Sequence, residues 1–545
     1  MSIDTPEKIL NINIIKLILA IFFIELLSLI SFKSAFLSSI FLILISIAVL
    51  LFTLYKLEYG LYIALIELMI GSYGYLFYLQ LPGFKAPIRL AIFLIVFLVW
   101  LLKYCFIPCF SRPKTCPLPP SLTLWRTRKW GINKIKKDRL IQNFILLIAF
   151  LGIGFINGLL HHNGLANTFF DFNGYLYFGL FFVFLEVFKN EKQVINFLKI
   201  LIASITYVSL KVFVTLYFFS HGFLNTSDLL YHWIRDTRVG EITYAGANFF
   251  RIFFQSQIWS LIGIFIIFSL ILLLLHRRSD SFTPSGPIAS SVPRKQFVWS
   301  IIMIIILETS ILISFSRTFW LSAIVGFIAL FAYLIFKEKL RLKKLAQIMG
   351  IILSSLIINI LLFFSIANFP IPKPSSELAF SLLKTRFTAF FGEAGVSSRW
   401  NQLPVLIEQI KKAPLLGTGF GTSLTYKSDD PRIKNDSNPE GWYTTYTFEW
   451  GYLDTVTEIG FIGLFVYLFL IGQILYLGIH SRLGLKQTVI NSNINEINSR
   501  PSLIRIGFLI GLIVLMTVNM FSPYLNHPLG IGYLMLCAAI FRQKN

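Results

Sequence analysis

The 545-residue chain is 56% hydrophobic and 16% aromatic but only 14% charged, against about 25% charged residues in soluble domains. That excludes an ordinary water-soluble enzyme and indicates a polytopic membrane protein. The formal net charge of +22 would suggest nucleic-acid binding in a soluble protein; in so apolar a chain it is better explained by Lys and Arg gathered in cytoplasmic loops.

The N-terminus, MSIDTPEKIL, has no basic start, and no small-residue cleavage site follows the first apolar run. It reads as leading into a retained span rather than as a signal peptide. Windows of roughly 20 apolar residues suit a ~30 Å hydrocarbon core and predict about fourteen transmembrane helices. They fall near 13–31, 35–55, 58–79, 87–104, 140–159, 173–189, 194–219, 249–275, 297–315, 318–336, 346–367, 456–478, 504–521 and 524–541. The runs are continuous rather than alternating, which favours helices over a barrel. The expected fold is an all-α polytopic membrane protein with one large extracytoplasmic loop over 368–455.

Basic residues set the expected orientation. The linkers at 105–139 and 276–296, the segment KEKLRLKK and the segment from His480 to Arg505 all fall on one side of that arrangement, with both termini. That side is expected to be cytoplasmic. The two linkers are also rich in Pro and Ser. Cys105, Cys109 and Cys116 share the first linker and Cys537 stands alone in an apolar run. Zinc sites favour paired CxxC ligands, so neither a metal site nor a disulfide framework is expected.

Arginines at the opposite, outer edge run against the positive-inside bias. Arg89 opens the fourth span, Arg235, Arg238 and Arg251 surround the start of the eighth, and Arg317 occupies the short turn SFSRTFW between spans nine and ten. Arg386 and Arg399 lie in the long loop. Each alone could snorkel or pair with an acid; several together favour an anionic ligand, because guanidinium forks match phosphate oxygens. Ser314, Ser316 and Thr318 flank Arg317 with hydroxyls. Glu25, Glu67 and Glu308 lie inside spans, where acids need partners; pairing is expected for the first two, and Glu308 is close enough to help orient an outer arginine. His161, His162, His221, His232 and His527 show no metal spacing and read as solvated polar residues.

Three segments in order carry a family resemblance: SFSRTFWLSAIVGF, then SSRWNQLPVLIEQIKKAPLLGTGFGTS, then EWGYLDTVTEIGFIGL. Over about 300–470 the chain resembles the O-antigen ligase and polymerase family of bacterial membrane glycosyltransferases. The resemblance implies a GT-C-like membrane enzyme of the bacterial inner membrane, with an N-terminal scaffold over 1–296, a catalytic region over 297–478 and C-terminal helices over 479–545. It implies a polyprenyl-pyrophosphate-linked oligosaccharide as donor, a glycan or lipid acceptor, contact with the bilayer and a place in a polysaccharide assembly complex, with no cofactor and no nucleic acid. Transfer would invert the anomeric centre without a metal. Protein Ser/Thr as the acceptor is the alternative within the enzyme class. A polysaccharide or lipid flippase is the alternative from another class.

Family members often carry His where this chain has Glu449. Glu449 is therefore the expected general base, with Asp454 and Glu458 as alternates, and Arg317 and Arg399 are expected to stabilise the pyrophosphate leaving group. Arg89, Arg251 and Arg386 stand behind them as substrate-binding residues, and Trp442, Tyr443 and Tyr452 as sugar-stacking candidates beside an interfacial-belt reading. The glycines of PLLGTGFG do not follow a strand in a βαβ unit, so they are no dinucleotide fingerprint. They predict a turn that lets backbone approach the substrate or the bundle.

Overall fold

The computed structural model describes residues 13–81, 84–103, 138–246, 249–280, 294–369, 394–429, 433–480 and 503–543. The cysteine-bearing linker and Arg386 lie outside those residues. The chain is predominantly helical: α1 (Asn13–Ser31), α2 (Ala35–Tyr55), α3 (Leu57–Gly71), α4 (Ile88–Leu101), α5 (Arg139–Leu160), α6 (Leu165–Phe172), α7 (Phe181–Val187), α8 (Glu191–Ser220) and α9 (Leu224–Asp236) make the first part. Then come α10 (Gln257–Asp280), α11 (Arg294–Ile313), α12 (Arg317–Phe336), α13 (Leu342–Asn368), α14 (Ala394–Lys412), α15 (Gly451–His480), α16 (Leu503–Val518) and α17 (Pro528–Phe541). Among the described residues, 10 helical segments are long and apolar enough to cross a membrane, and α4, α16 and α17 are shorter apolar helices. The all-α polytopic architecture is therefore present.

The helix α10 is the core of the bundle. It is buried along almost its whole membrane length, and α8, α11 and α16 pack along it. Helices on the rim keep Phe, Leu and Ile exposed, as on α2 and α13, which suits surfaces facing lipid rather than water.

Three antiparallel hairpins join the helices at one end: β1 (Tyr78–Leu81) with β2 (Phe84–Pro87), β3 (Gly240–Gly246) with β4 (Phe249–Phe254), and β5 (Leu424–Lys427) with β6 (Trp442–Thr445). Two of them correct the expected spans. The span expected over 58–79 stops at Gly71, where Ser72 takes φ 50° and Gly74 φ 88° and the chain turns into β1. The start of the span expected over 249–275 is strand β4. Short apolar runs rich in aromatic and β-branched residues suit strand or buried helix equally. Pairing with β3 decides it, burying Phe249, Ile252 and Phe254.

The main irregularity lies inside α15. Gly460 breaks the helix at φ 72°, ψ 177°, a region reserved for glycine. The freed amides of Phe461 and Ile462 donate to the carbonyls of Pro414 (2.8 Å) and Leu415 (3.3 Å). The PLLGTGFG segment thus threads against the break. Its Thr418 amide donates to Thr457 O at 2.9 Å and its Phe420 amide to Gly154 O of α5 at 3.2 Å. Gly419, at φ 89°, lies against the backbone of Asn157 and Gly158 so closely that a Cβ has no room. Of the two roles expected for these glycines, approach to the bundle is the one seen. Gly460→Ala should destabilise the protein by about 1–3 kcal/mol from backbone strain alone; a lower thermal midpoint in detergent, with less protein accumulating in the membrane, checks this.

Candidate functional site

The turn between α11 and α12 is held by its own serines. Ser314 Oγ donates to Ile311 O at 2.6 Å, and the Ser316 amide donates to Ser314 Oγ at 3.2 Å. Phe315 is forced to φ 46°, which leaves Arg317 as the first residue of α12. A helix N-terminus carries partial positive charge, so Arg317 adds its cation where the backbone is already electropositive. From β4, Arg251 Nε donates to Ser314 O at 3.0 Å, and its guanidinium lies 5.0 Å from the Phe253 ring centroid. The strand that the sequence read as a helix start therefore docks Arg251 on the Arg317 turn.

Arg399 comes from α14, far away in sequence. Trp450 Nε1 donates to its carbonyl oxygen at 3.0 Å, Trp400 and Trp450 meet edge to face at 5.4 Å, and the Glu449 amide donates to Gln402 Oε1 at 3.2 Å. The Arg399 Nε forms an ion pair with the Glu449 carboxylate. Burial, followed by the charges of Arg251 and Arg317, pushes the Arg399 guanidinium down to about 10. Arg251, Arg317 and Arg399 thus form one cationic cluster assembled from a hairpin, a helix N-terminus and the long loop. Glu449, expected as the general base, is paired with Arg399 as its counter-ion.

The remaining expected residues separate. Arg89 is buried and its fork is taken by Glu67, with Nε to Oε2 at 2.7 Å and Nη2 to Oε1 at 3.0 Å. Glu25 pairs with Lys211 at 2.7 Å and accepts from Tyr207 Oη at 2.8 Å. Glu308, expected to orient an arginine, instead accepts a hydrogen bond from Asn359 Nδ2 on α13 at 2.6 Å. The Tyr452 hydroxyl donates to Met516 O of α16 at 2.8 Å, which ties α15 to the bundle. Trp442 and Tyr443 are exposed on β6. Lys427 Nζ lies 5.0 Å from the Trp442 ring centroid, and Tyr443 meets Tyr426 edge to face at 6.0 Å. Their hairpin is joined to α14 through Asn401 Nδ2, which donates to Lys427 O at 3.1 Å.

Two histidines expected in solvent are built into the fold. His221 is buried and stacks on Tyr217 at 4.1 Å. His527 caps α17, with the Leu529 amide donating to its Nδ1 at 3.3 Å.

One set of residues eluded sequence reasoning as a group. Asp454 and Glu458 were only alternates, and Asp171 was not singled out. Asp171 Oδ2 accepts the Gly421 amide at 2.7 Å, Asp454 Oδ2 accepts from Asn526 Nδ2 at 3.0 Å, and Glu458 Oε2 accepts from Tyr175 Oη at 2.6 Å. The usable signal was the helical spacing of four between Asp454 and Glu458, which puts both on one face of α15. Among the described residues, no group of three or more His, Cys, Asp or Glu is arranged to hold a metal ion.

Residues 300–468 match the family model described as O-Antigen ligase. The matched stretch includes the Arg317 turn, Arg399, the PLLGTGFG thread, Glu449 and the first half of α15. No curated protein and no solved structure gives a match. A structural role for the Arg89–Glu67 pair has a direct check: Glu67→Ala should cost about 3–5 kcal/mol by stranding a buried charge. The double variant Glu67→Leu with Arg89→Met should recover most of that loss in a thermal-unfolding measurement.

Proposed function

Since residues 300–468 form an O-antigen ligase family region, we propose that this chain is a multi-pass membrane glycosyltransferase. In this reading it moves a glycan from a polyprenyl-pyrophosphate carrier to a growing glycan or other acceptor on the extracytoplasmic side of a bacterial inner membrane, with both termini cytoplasmic. The observation that carries the reading is the cluster of Arg251, Arg317 and Arg399 at the end of an apolar bundle. A lipid diphosphate is the anion whose tail would lie in the bilayer while its charge sits at such an end.

The reaction needs little from a general acid, because pyrophosphate is already a good leaving group. It gains from fixed cations where charge develops, in a site of low dielectric. Three like charges held together repel one another, and an incoming diphosphate relieves that repulsion. Glu449 lowers the same repulsion before the donor arrives and holds the Arg399 fork in place. Direct attack of an acceptor hydroxyl on the anomeric carbon would invert it, with no metal in the step. Trp442 and Tyr443, on the exposed hairpin joined to α14, are placed to stack on sugars of the donor or acceptor chain. The catalytic region runs over 297–478 in this reading, with 1–296 and 479–545 as scaffold.

The transporter alternative has less support. Glu25 and Glu67, two acids inside the expected spans, are each closed by a cation of the bundle rather than left to a transported substrate.

The test is release of lipid pyrophosphate by purified protein given a polyprenyl-pyrophosphate oligosaccharide and a glycan acceptor. Arg317→Ala and Arg399→Ala should each lower turnover by about 10²–10³-fold, as loss of a transition-state charge partner does, with the protein still in the membrane. Arg399→Lys should not restore it, because a point charge does not replace the fork. Wild-type protein that releases no lipid pyrophosphate sinks the reading. Glu449→Gln should keep turnover within about tenfold of wild type, below the 10²-fold loss expected of a general base, and should change the donor KM.

A further inference from the structure

The arginine cluster accounts for the charged end of the donor and leaves its sugars unassigned. The β5–β6 hairpin carries a face that suits them. Its register sets Lys427 opposite Trp442 and Thr425 opposite Thr444. Successive residues of a strand face opposite ways, so these four share one face, and all four are exposed. On the other face Leu424, Tyr426 and Thr445 are buried, and Tyr443 packs edge to face on Tyr426. Trp442 and Tyr443 therefore point to opposite sides of the hairpin, and Trp442 is the one on the open side.

The Trp442 ring is fixed in place. Its Nε1 donates to Glu440 Oε2 at 2.7 Å, Lys427 Nζ lies over the ring, and Asn438 Nδ2 donates to the Trp442 carbonyl at 2.9 Å. Held in this way, the residue is still 50% exposed. On the neighbouring rung the Thr425 and Thr444 hydroxyls lie 2.8 Å apart. A pyranose matches such a surface. Its C–H face carries partial positive charge and packs on the electron-rich face of an indole, and its hydroxyls both donate and accept. Lys427 and Glu440 are of opposite sign and 3.9 Å apart, so the face suits a neutral, hydroxyl-rich ligand rather than a second anion. The adjoining loop over 434–440 is polar and largely exposed. Trp442 therefore lacks the apolar surroundings of an aromatic at the membrane interface.

The hairpin is fastened to the turn of α14 that carries Arg399. Ser397 Oγ donates to the Asp429 carboxylate, the Asp429 amide donates to Ser398 Oγ at 2.9 Å, and Asn401 Nδ2 reaches Lys427 O at 3.1 Å and Asp429 Oδ2 at 3.4 Å. Ser397 and Asn401 are four residues apart and share one face of α14. Arg399, midway between them, projects from the other face toward Glu449. Hairpin and guanidinium are thus separated by about the width of a helix, roughly 10 Å, which exceeds one sugar ring. A glycan whose pyrophosphate lies on the arginines would meet Trp442 with a sugar beyond its first. We propose that the open face of β5–β6 is a subsite for the donor glycan, in which Trp442 stacks on a sugar remote from the pyrophosphate. Glu440 and the Thr425–Thr444 pair bind that sugar's hydroxyls. This rests on the glycosyl-transfer reading above. The donor is the occupant because one rigid unit, the first turns of α14 with the hairpin stapled to them, carries both Arg399 and Trp442.

The experiment uses full-length protein in liposomes with a polyprenyl-pyrophosphate oligosaccharide donor and a glycan acceptor, comparing wild type, Trp442→Ala, Trp442→Phe and Arg317→Ala. Trp442→Ala should raise the donor KM about tenfold or more, as loss of an aromatic anchor does. Its kcat should hold, which is the signature of lost uniform binding, and the acceptor KM should not move. Trp442→Phe keeps a stacking ring and should recover most of the loss. A second readout needs no turnover. The lipid-free oligosaccharide, released from the donor by mild acid, should show saturation-transfer NMR contacts with wild type and with Arg317→Ala, and none with Trp442→Ala. An unchanged donor KM in Trp442→Ala overturns the subsite, as does a rise confined to the acceptor KM or a fall in kcat alone. Oligosaccharide contacts that survive Trp442→Ala overturn it too. Each of these results leaves the glycosyl-transfer reading intact. Wild-type protein that is inert in transfer brings down that reading instead, and the NMR contacts then decide by themselves whether the hairpin face binds sugar.

Discussion

The site depends on a backbone interlock. α15 opens at Gly460, and the carbonyls of Pro414 and Leu415 fill the opening by accepting from Phe461 and Ile462. Backbone groups inside an apolar bundle must find partners within the protein. The break and the thread therefore require each other, since either alone would strand polar groups. The same thread ends at Gly421, whose amide holds Asp171, and begins where α14 ends, the helix that carries Arg399. One strand of irregular backbone thus sets the relative positions of α5, α6, α14 and α15.

On that frame Arg251, Arg317 and Arg399 gather from β4, the α11–α12 turn and α14. Asp454 and Glu458 lie one turn apart on α15. Electrostatic interactions are stronger in a partly dry site than in water, so gathering like charges there is costly. Elsewhere in the bundle Glu25 with Lys211 and Glu67 with Arg89 are closed pairs.

Some of this was legible beforehand and some was not, for identifiable reasons. Arg317 was legible because a charged residue in a turn of a few residues between two apolar runs has few places to go. Arg399 was legible through its family segment. Arg89 looked the same in sequence but is paired inside the bundle, because its partner lies on α3, 22 positions away. Tyr452 looked like a sugar platform, yet its hydroxyl is committed to α16. The strand β4 was hidden because FFRIFF satisfies the hydropathy of a span as well as the pattern of a buried strand. Asp171 carried no signal until Gly421 was folded against it.

The sequence by itself determined the apolar helical architecture and the match of residues 300–468 to an O-antigen ligase family model, because hydropathy and ordered motifs survive without any knowledge of contacts. Only the tertiary structure decided which charges are paired inside the bundle. Whether an arginine or a carboxylate inside an apolar bundle is neutralised depends on what lies a few ångströms away, and those neighbours come from segments tens to hundreds of residues apart.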